Sequence, residues 1–224
     1  MSRADWQRQV DALEQARQRG EIDDDRWFTG MAGIFEAAYL AEGNPRAQSG
    51  FGGDEERWEV ARRPIAEAVD RDGSFLDIGC ANGYLLECIT RWSPHRVEPY
   101  GLEIAPGLAA LARRRLPQWS ERVFVGNALT WQPPRRFDFV RTELVYVPEE
   151  RRKSYVERLL ERVVAPGGRL IICGYGSPRS RVTAEPVPAI LRSYGFEPEL
   201  EREVDAPEGG GPIIVIACLR APVA

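Results

Sequence analysis

Histidine and closely spaced cysteines are scarce in this sequence, and their scarcity argues against a metal site. The chain has one histidine, His95, and its four cysteines form no C-x-x-C pair. The ligand spacing of zinc sites is therefore missing, and we expect no bound metal. The cysteines lie in or beside apolar segments, at Cys80, Cys88, Cys173 and Cys218. We expect these thiols to be buried and reduced.

Long apolar runs are also absent, which argues against a membrane protein. No run approaches the roughly 20 residues that are needed to cross a bilayer. The N-terminal segment, MSRADWQRQV, has no apolar signal-peptide core. We therefore expect a soluble, cytoplasmic protein with no membrane partner.

An excess of positive charge is likewise missing. The net charge is −4 and the sequence pI is about 5.3, which argues against nucleic acid as a partner. The arginine run at 113–115 is the strongest opposing feature. It is compatible with phosphate contacts, and equally with a solvated helix end that complements the helix dipole. We expect the second.

The apolar pattern divides the chain into two parts. Residues 1–73 have helical spacing, with Trp6, Val10 and Leu13 at i, i+4 and i+7 and a second stripe that begins at Trp27. Asp54 can cap a third helix. From residue 74 strands and helices alternate. We predict an N-terminal helical cap or lid extension over 1–73 and an α/β core over 74–224.

The core has the order β-α-β-α-β-loop-β-α-β, which indicates a mostly parallel, doubly wound sheet with helices on both faces. Its ending differs from that pattern. A helix is predicted over 183–194, followed by two strands that a Gly-rich loop joins into an antiparallel hairpin. The predicted strands cover residues 74–78, 99–103, 122–126, 137–142, 169–174, 196–204 and 212–220.

The carboxyl ends of the predicted strands carry the residues of a candidate site, because ligands of open α/β sheets bind there. The loop after the first strand offers close backbone approach at Gly79 and Gly83. Glu103 follows about 20 residues later and suits a ribose diol, and Asn127 suits an adenine edge. Asp77 favours a cationic ligand end, such as a sulfonium or an amino group. Together these residues indicate a pocket for an adenosine-containing molecule.

Two other nucleotide motifs fit less well. The dinucleotide fingerprint G-x-G-x-x-G is not matched, because the spacing is Gly79-x-x-x-Gly83 and Ala81 stands at the middle glycine's place. The phosphate loop G-x-x-x-x-G-K-[ST] is not matched either, because no Lys followed by Ser or Thr closes the loop.

Five segments in order resemble the motifs of class I S-adenosylmethionine-dependent methyltransferases. They are LDIGCANG, YGLEIAP, FVGNALTW, RFDFVRTELVYVP and VVAPGGRLII. The resemblance extends from about Phe75 to Leu219. It implies a Rossmann-like, seven-stranded sheet in which the last strand is antiparallel. It also implies S-adenosylmethionine as the cofactor and S-adenosylhomocysteine as the product.

The resemblance also implies roles for individual residues. Glu103 would bind the ribose hydroxyls, Ile104 would lie against the adenine, and Asn127 would meet the adenine edge. Many family members carry Asp at the position of Asn127, and an amide can still accept from the exocyclic amine. The full set of predicted cofactor-binding residues is Asp77, Gly79, Cys80, Ala81, Asn82, Gly83, Glu103, Ile104, Asn127, Ala128 and Thr142.

The end of the fourth strand is the expected acceptor side. Methyl transfer is an in-line displacement, so a base is needed only for a protonated nucleophile. Glu143 is the candidate base and Tyr146 a candidate substrate-side contact, and we group both as catalytic. Arg141 either forms a salt bridge with Asp138 or Glu143, or anchors an anionic substrate or the cofactor carboxylate. The sequence leaves these alternatives open.

The Gly-rich segment 42–54 is either a lid or an interhelix linker, and we expect a lid. Phe51 at its apolar tip is then a substrate-binding candidate, together with Arg141. The first hypothesis for function is O- or N-methylation of a small molecule. A non-catalytic, cofactor-binding regulatory or scaffolding protein is the alternative, and a methyltransferase of RNA or protein is a third option. The acceptor and the oligomeric state stay open, a homodimer included.

Overall fold

The computed structural model describes residues 3–223. Its N-terminal part consists of three helices: α1 (Arg3–Gln18), α2 (Asp24–Leu40) and α3 (Glu55–Glu67). Asp23 caps α2, because its side chain accepts a hydrogen bond from the Arg26 backbone N–H. Asp54 caps α3 in the same way. These caps satisfy backbone donors that a helix start leaves free. The first two residues of the predicted extension and the last residue of the predicted core lie outside the described range.

The sheet has seven strands in the order β3-β2-β1-β4-β5-β7-β6. The first five strands of the chain pair in parallel, and β7 pairs antiparallel with both β5 and β6. The fold class predicted from the sequence is therefore confirmed. The strands are β1 (Gly73–Ile78), β2 (Val97–Glu103), β3 (Val123–Val125), β4 (Phe137–Thr142), β5 (Val164–Tyr175), β6 (Leu200–Asp205) and β7 (Pro212–Arg220).

Helices cover both faces of this sheet, and each face buries its own apolar core. One core cluster contains residues of α3, α4 (Tyr84–Trp92) and α5 (Pro106–Arg115). The other contains residues of α6 (Arg152–Arg158), α7 (Val187–Ser193) and the start of α2. Burial of apolar surface on both faces is what stabilises a parallel sheet of this kind. Strand order reverses around β1 and β4, and the candidate site lies at that point.

The helix predicted over 183–194 is shorter in the structure, where α7 spans Val187–Ser193. Pro186 occupies the N-cap position. A proline lacks the N–H that a helix interior needs, and it disfavours helical geometry in the residue before it, here Glu185. The apolar spacing of this segment predicted a helix correctly, but the proline moved its start.

Candidate functional site

The turn between β1 and α4 has three residues in the left-handed region. They are Gly79, Ala81 and Gly83, with φ of 76°, 46° and 75°. Glycine adopts such angles freely, whereas Ala81 does so only against a conformational cost. The turn is fixed to β2, because the Gly79 N–H donates to the Leu102 carbonyl at 2.8 Å. Strained backbone of this kind is typical of functional sites.

Glu103, the last residue of β2, holds that turn in place. Its Oε2 accepts from the Ala81 N–H at 2.8 Å and its Oε1 accepts from the Ala105 N–H at 2.9 Å. The side chain is buried, and burial raises the pKa of its carboxyl above the ordinary value. A carboxylate has about four acceptor positions, so Glu103 retains acceptor capacity for a further donor, such as a ribose hydroxyl.

A cavity of about 490 Å³ opens between the sheet and α2. Its sheet side is formed by Ile104, Ala105, Pro106 and Asn127, which follow β2 and β3. Its other side is one face of α2, and the residues that line it there are Asp25, Phe28, Thr29, Ala32, Gly33 and Glu36. The structure thus brings Ile104 and Asn127 to one apolar cavity near Glu103. Sequence reasoning did not assign α2 to the wall of this cavity.

The side chain of Asn127 is oriented by its own loop. Its Oδ1 accepts from the Leu129 N–H at 2.8 Å, which leaves the amide nitrogen as a donor toward the cavity that it lines. Ala128 packs at the edge of the neighbouring core cluster.

Asn82 and Cys80 use their side chains within the protein. The Asn82 amide is buried and donates to the Pro45 carbonyl at 2.8 Å, and its Oδ1 accepts from the Tyr84 N–H at 3.1 Å. Asn82 therefore ties the turn to segment 42–54. The Cys80 thiol lies in the core, and burial raises its pKa. Any contact that these residues make with a cofactor would come from their backbone.

A buried charge cluster lies beside the turn, at the ends of β1 and β4. Asp77 is 1% exposed and Arg141 is 3% exposed, and Asp77 Oδ1 accepts from Arg141 Nη1 at 3.1 Å. Arg141 also forms an ion pair with Glu143. Asp77 Oδ2 is buried and has no hydrogen-bond partner among the described residues. Burial raises the pKa of Asp77 to about 6, although Arg141 opposes this effect.

Two tyrosine hydroxyls complete the cluster around Arg141. Arg141 donates to the Tyr146 hydroxyl at 3.0 Å and to the Tyr175 hydroxyl at 2.9 Å. Tyr146 in turn donates to Glu143 Oε1 at 2.6 Å. Its ring lies directly over the turn, because a Cβ placed on Gly79 would be 2.5 Å from Tyr146 Cζ. Sequence reasoning missed Tyr175, although its place at the end of β5 was a usable signal.

Arg141 forms an ion pair, as one of the two interpretations predicted. Its partners are Glu143, which was expected, and Asp77, which was not. Asp138 accepts instead from the Ser74 N–H and hydroxyl, at 2.9 and 2.7 Å. The anchoring role of Arg141 stays a prediction.

Thr142 faces away from the cluster. Its hydroxyl lies 2.6 Å from the hydroxyl of Tyr155, and both groups are buried in the apolar core under α6. Successive strand residues point to opposite faces of the sheet, so Thr142 cannot share the side on which Arg141 points. A cofactor contact from Thr142 would come from its backbone.

Phe51 packs against α3, and the Arg62 guanidinium lies between its ring and that of Tyr175. Its ring centroid is 5.3 Å from that of Trp58, in an edge-to-face arrangement. His95 lies elsewhere, before β2, where its nearest acid is Asp72 at 3.9 Å. The structure therefore brings Phe51, but not His95, to the neighbourhood of the site.

Two arginines of the run at 113–115 make contacts within the protein, whereas Arg114 is exposed. Arg113 donates to the Val123 carbonyl at 2.7 Å, and Arg115 pairs with Glu87 at 3.5 Å. The side chains of Arg113 and Arg115 are therefore held by contacts within the protein. Among residues 3–223, no group of three or more His, Cys, Asp or Glu is placed to hold a metal ion.

Comparison with protein families assigns a domain to the part of the chain that builds the turn. Residues 75–168 match the model of a methyltransferase domain. No protein of curated function matches the chain by sequence.

Solved structures share the fold at low sequence identity. The N-methyltransferase NodS from Bradyrhizobium japonicum WM9, solved with S-adenosylhomocysteine, is 15% identical with a TM-score of 0.63, and the match covers 85% of this chain and 98% of NodS. The 1,6-didemethyltoxoflavin-N1-methyltransferase from Burkholderia thailandensis is 21% identical with a TM-score of 0.60, over 90% and 91% of the two chains.

A third similar structure is the magnesium protoporphyrin IX methyltransferase from Synechocystis PCC 6803, solved with S-adenosylmethionine. It is 16% identical with a TM-score of 0.58, and the match covers 88% of this chain and 97% of that enzyme. At these identities the likeness is one of fold.

Proposed function

We propose that this chain, a class I S-adenosylmethionine-dependent methyltransferase by its domain match and its fold, methylates a small-molecule acceptor on oxygen or nitrogen. The structural neighbours named for their substrates act on small molecules, 1,6-didemethyltoxoflavin and magnesium protoporphyrin IX among them. The acceptor of this chain is not named by any of them.

The residues at the site fit S-adenosylmethionine. Asp77 presents a buried carboxylate oxygen without a partner among the described residues, which suits the α-ammonium group. Glu103 has acceptor capacity for the ribose hydroxyls, and the cavity beside Ile104 and Asn127 suits the adenine. When bound, the cofactor supplies a methyl group made electrophilic by its sulfonium. That fit between the unpaired Asp77 oxygen and a cationic ligand carries the proposal.

On the acceptor side, Glu143 is the residue that we propose takes a proton. Its Oε1 is held by Arg141 and Tyr146, and its Oε2 receives no hydrogen bond from the described residues. Burial raises the pKa of Tyr146 well above the ordinary value, so this hydroxyl stays protonated and orients Glu143. An acceptor that is already anionic would need no base.

Titration calorimetry with S-adenosylhomocysteine tests the cofactor site, with NAD as the control ligand. We expect micromolar binding to the wild type, no binding of NAD, and a loss of about tenfold or more in Glu103→Ala, since about 1.4 kcal/mol corresponds to tenfold. Glu98→Ala is the matched control, because Glu98 belongs to the same strand but lies toward its other end. We expect it to bind like the wild type.

Two outcomes would contradict the proposal. An absence of S-adenosylhomocysteine binding would overturn the cofactor assignment. Binding without methyl transfer to any acceptor in a broad screen would favour the non-catalytic, cofactor-binding alternative. A solved structure of this fold, the [4+2]-cyclase SpnF, shows that methyl transfer is not the fold's only use.

A further inference from the structure

Arg62, a residue of α3 that sequence reasoning did not single out, lies in a box of three aromatic rings. Its guanidinium carbon is 3.7 Å from the ring centroid of Tyr175, 4.9 Å from that of Trp58 and 5.3 Å from that of Phe51. Stacking on aromatic faces fixes the plane of a guanidinium and leaves its N–H groups pointing outward along the edges. The box therefore holds Arg62 in one orientation.

The guanidinium of Arg62 has unused donors. Its one hydrogen bond goes to the Ala61 carbonyl at 3.3 Å, and it forms no ion pair with any described residue. The neighbouring arginines of the same helix differ, because Arg57 pairs with Glu208 and Arg63 pairs with Glu59. A half-buried guanidinium that makes one long hydrogen bond has N–H donors available for the acceptor atoms of a ligand.

Arg62 is also directly connected to the charge cluster of the site. The guanidinium carbons of Arg62 and Arg141 lie 3.7 Å and 5.5 Å from the centroid of the same ring, that of Tyr175. Arg62 is close enough to act on the charge of Asp77. The unused donors of Arg62 thus lie beside the proposed acceptor side, between Phe51 and the end of β5.

Arg62 is the cation of this cluster that lacks a partner of its own. Asp77 and Glu143 both pair with Arg141, whereas Arg62 forms no ion pair with any described residue. An anionic group of the acceptor would give Arg62 a partner in a site that excludes water.

We propose that Arg62 binds a carboxylate of the methyl acceptor, so that the substrates of this enzyme are small organic acids. A carboxylate matches the planar fork of the guanidinium and pairs with its charge. In the transfer step, an acceptor lone pair forms the bond to the methyl carbon. The C–S bond breaks and its electron pair stays on sulfur. A proton displaced from the acceptor goes to Glu143. This inference rests on the proposed function and specifies its substrate class.

The test compares acids with their neutral amides on the complex with S-adenosylhomocysteine, by calorimetry at low ionic strength. The probe pairs are benzoate and benzamide, indole-3-acetate and indole-3-acetamide, and hexanoate and hexanamide. We expect at least one acid to bind about tenfold or more tightly than its amide. In Arg62→Gln this preference is lost, and in Arg62→Lys, which keeps the charge but not the fork, part of it remains. Arg63→Gln is the matched control on the same helix and keeps the preference.

The outcomes separate this inference from the proposed function. Cooperative thermal unfolding of Arg62→Gln near the wild-type temperature shows that the variant is folded. If the wild type binds S-adenosylhomocysteine but treats acids and amides alike, Arg62 does not bind a carboxylate. The same conclusion follows if Arg62→Gln keeps the preference. A wild type that fails to bind S-adenosylhomocysteine overturns the proposed function and this inference with it.

Discussion

Asp77 connects burial, charge and ligand affinity within one side chain. Its pKa of about 6 in the folded protein lies above the value of about 3.9 for an exposed Asp. The folded chain therefore keeps this proton to higher pH than the unfolded chain does. The stabilisation is fully present below about pH 4 and is lost as the pH rises through about 6. Charging Asp77 thus costs stability even beside Arg141, and a cationic ligand at its free oxygen would offset that cost.

We predict that S-adenosylhomocysteine binds more tightly as the pH rises from 5 to 7, because its ammonium group favours the ionised form of Asp77. Below the pKa, affinity changes by up to about tenfold per pH unit. Calorimetry across this range measures the effect, and Asp77→Asn should flatten the profile. The pKa of Glu103 is raised as well, so the comparison with Asp77→Asn is what assigns the dependence. A wild-type affinity that is constant from pH 5 to 7 would refute this role for Asp77.

At the scale of elements, α2 is both a packed helix and one wall of the cavity that we propose for the cofactor. Its Trp27 and Phe28 are buried in the core. Farther along the helix, Glu36 Oε2 accepts from the Gly107 N–H at 2.6 Å, at the start of α5. Between these two anchors, Gly33 leaves open space, since a Cβ added there would meet no atom within 4 Å.

The open space beside Gly33 allows a test of the cavity with the Gly33→Leu variant. Replacing a helical glycine stabilises a helix by up to about 1 kcal/mol, so the variant should be at least as stable as the wild type. Its side chain should nevertheless fill the cavity and weaken S-adenosylhomocysteine binding by about tenfold or more. Thermal unfolding and calorimetry measure the two effects separately. Gly33→Ala is the control and should keep most of the affinity. Wild-type affinity in Gly33→Leu would mean that the cofactor does not use this cavity.

The sequence predicted those parts of the candidate site that depend on the local order of residues. The turn from Asp77 to Gly83 and the placement of Glu103 follow from strand ends and glycine spacing. The face that α2 presents and the ring box around Arg62 depend on how distant elements pack, and no local pattern encodes this. Thr142 illustrates the same limit, because its hydroxyl partner Tyr155 belongs to another element.

At the scale of the whole molecule, the hydrophobic core crosses the boundary predicted at residue 73. Trp58 and Ile65 of α3 belong to the same core cluster as Phe75 of β1 and Leu86 of α4. The division into 1–73 and 74–224 stays a prediction, as do the cytoplasmic location and the homodimer. No helix among residues 3–223 is long and apolar enough to cross a membrane.

Because the core is shared in this way, we predict that residues 74–224 alone do not unfold cooperatively. Removal of α3 exposes the apolar face that it covers, at about 25 cal/mol per Å². Circular dichroism during heating gives the readout. The matched control is a chain of residues 42–224, which keeps α3 and should unfold cooperatively at a temperature below that of the full chain. Cooperative unfolding of 74–224 near the full-chain temperature would show an independent core.

The hydrogen bond from Asn82 to the Pro45 carbonyl has a thermodynamic consequence. Asn82 belongs to the turn that the methyl donor would contact, and Pro45 belongs to the segment that carries Phe51 toward Arg62. If the methyl donor displaces the turn, this hydrogen bond transmits the change to the segment that carries Phe51, and the free energy of acceptor binding changes with it. Linkage requires such coupling to be reciprocal, so an acceptor that binds more tightly after the donor must tighten donor binding by the same factor.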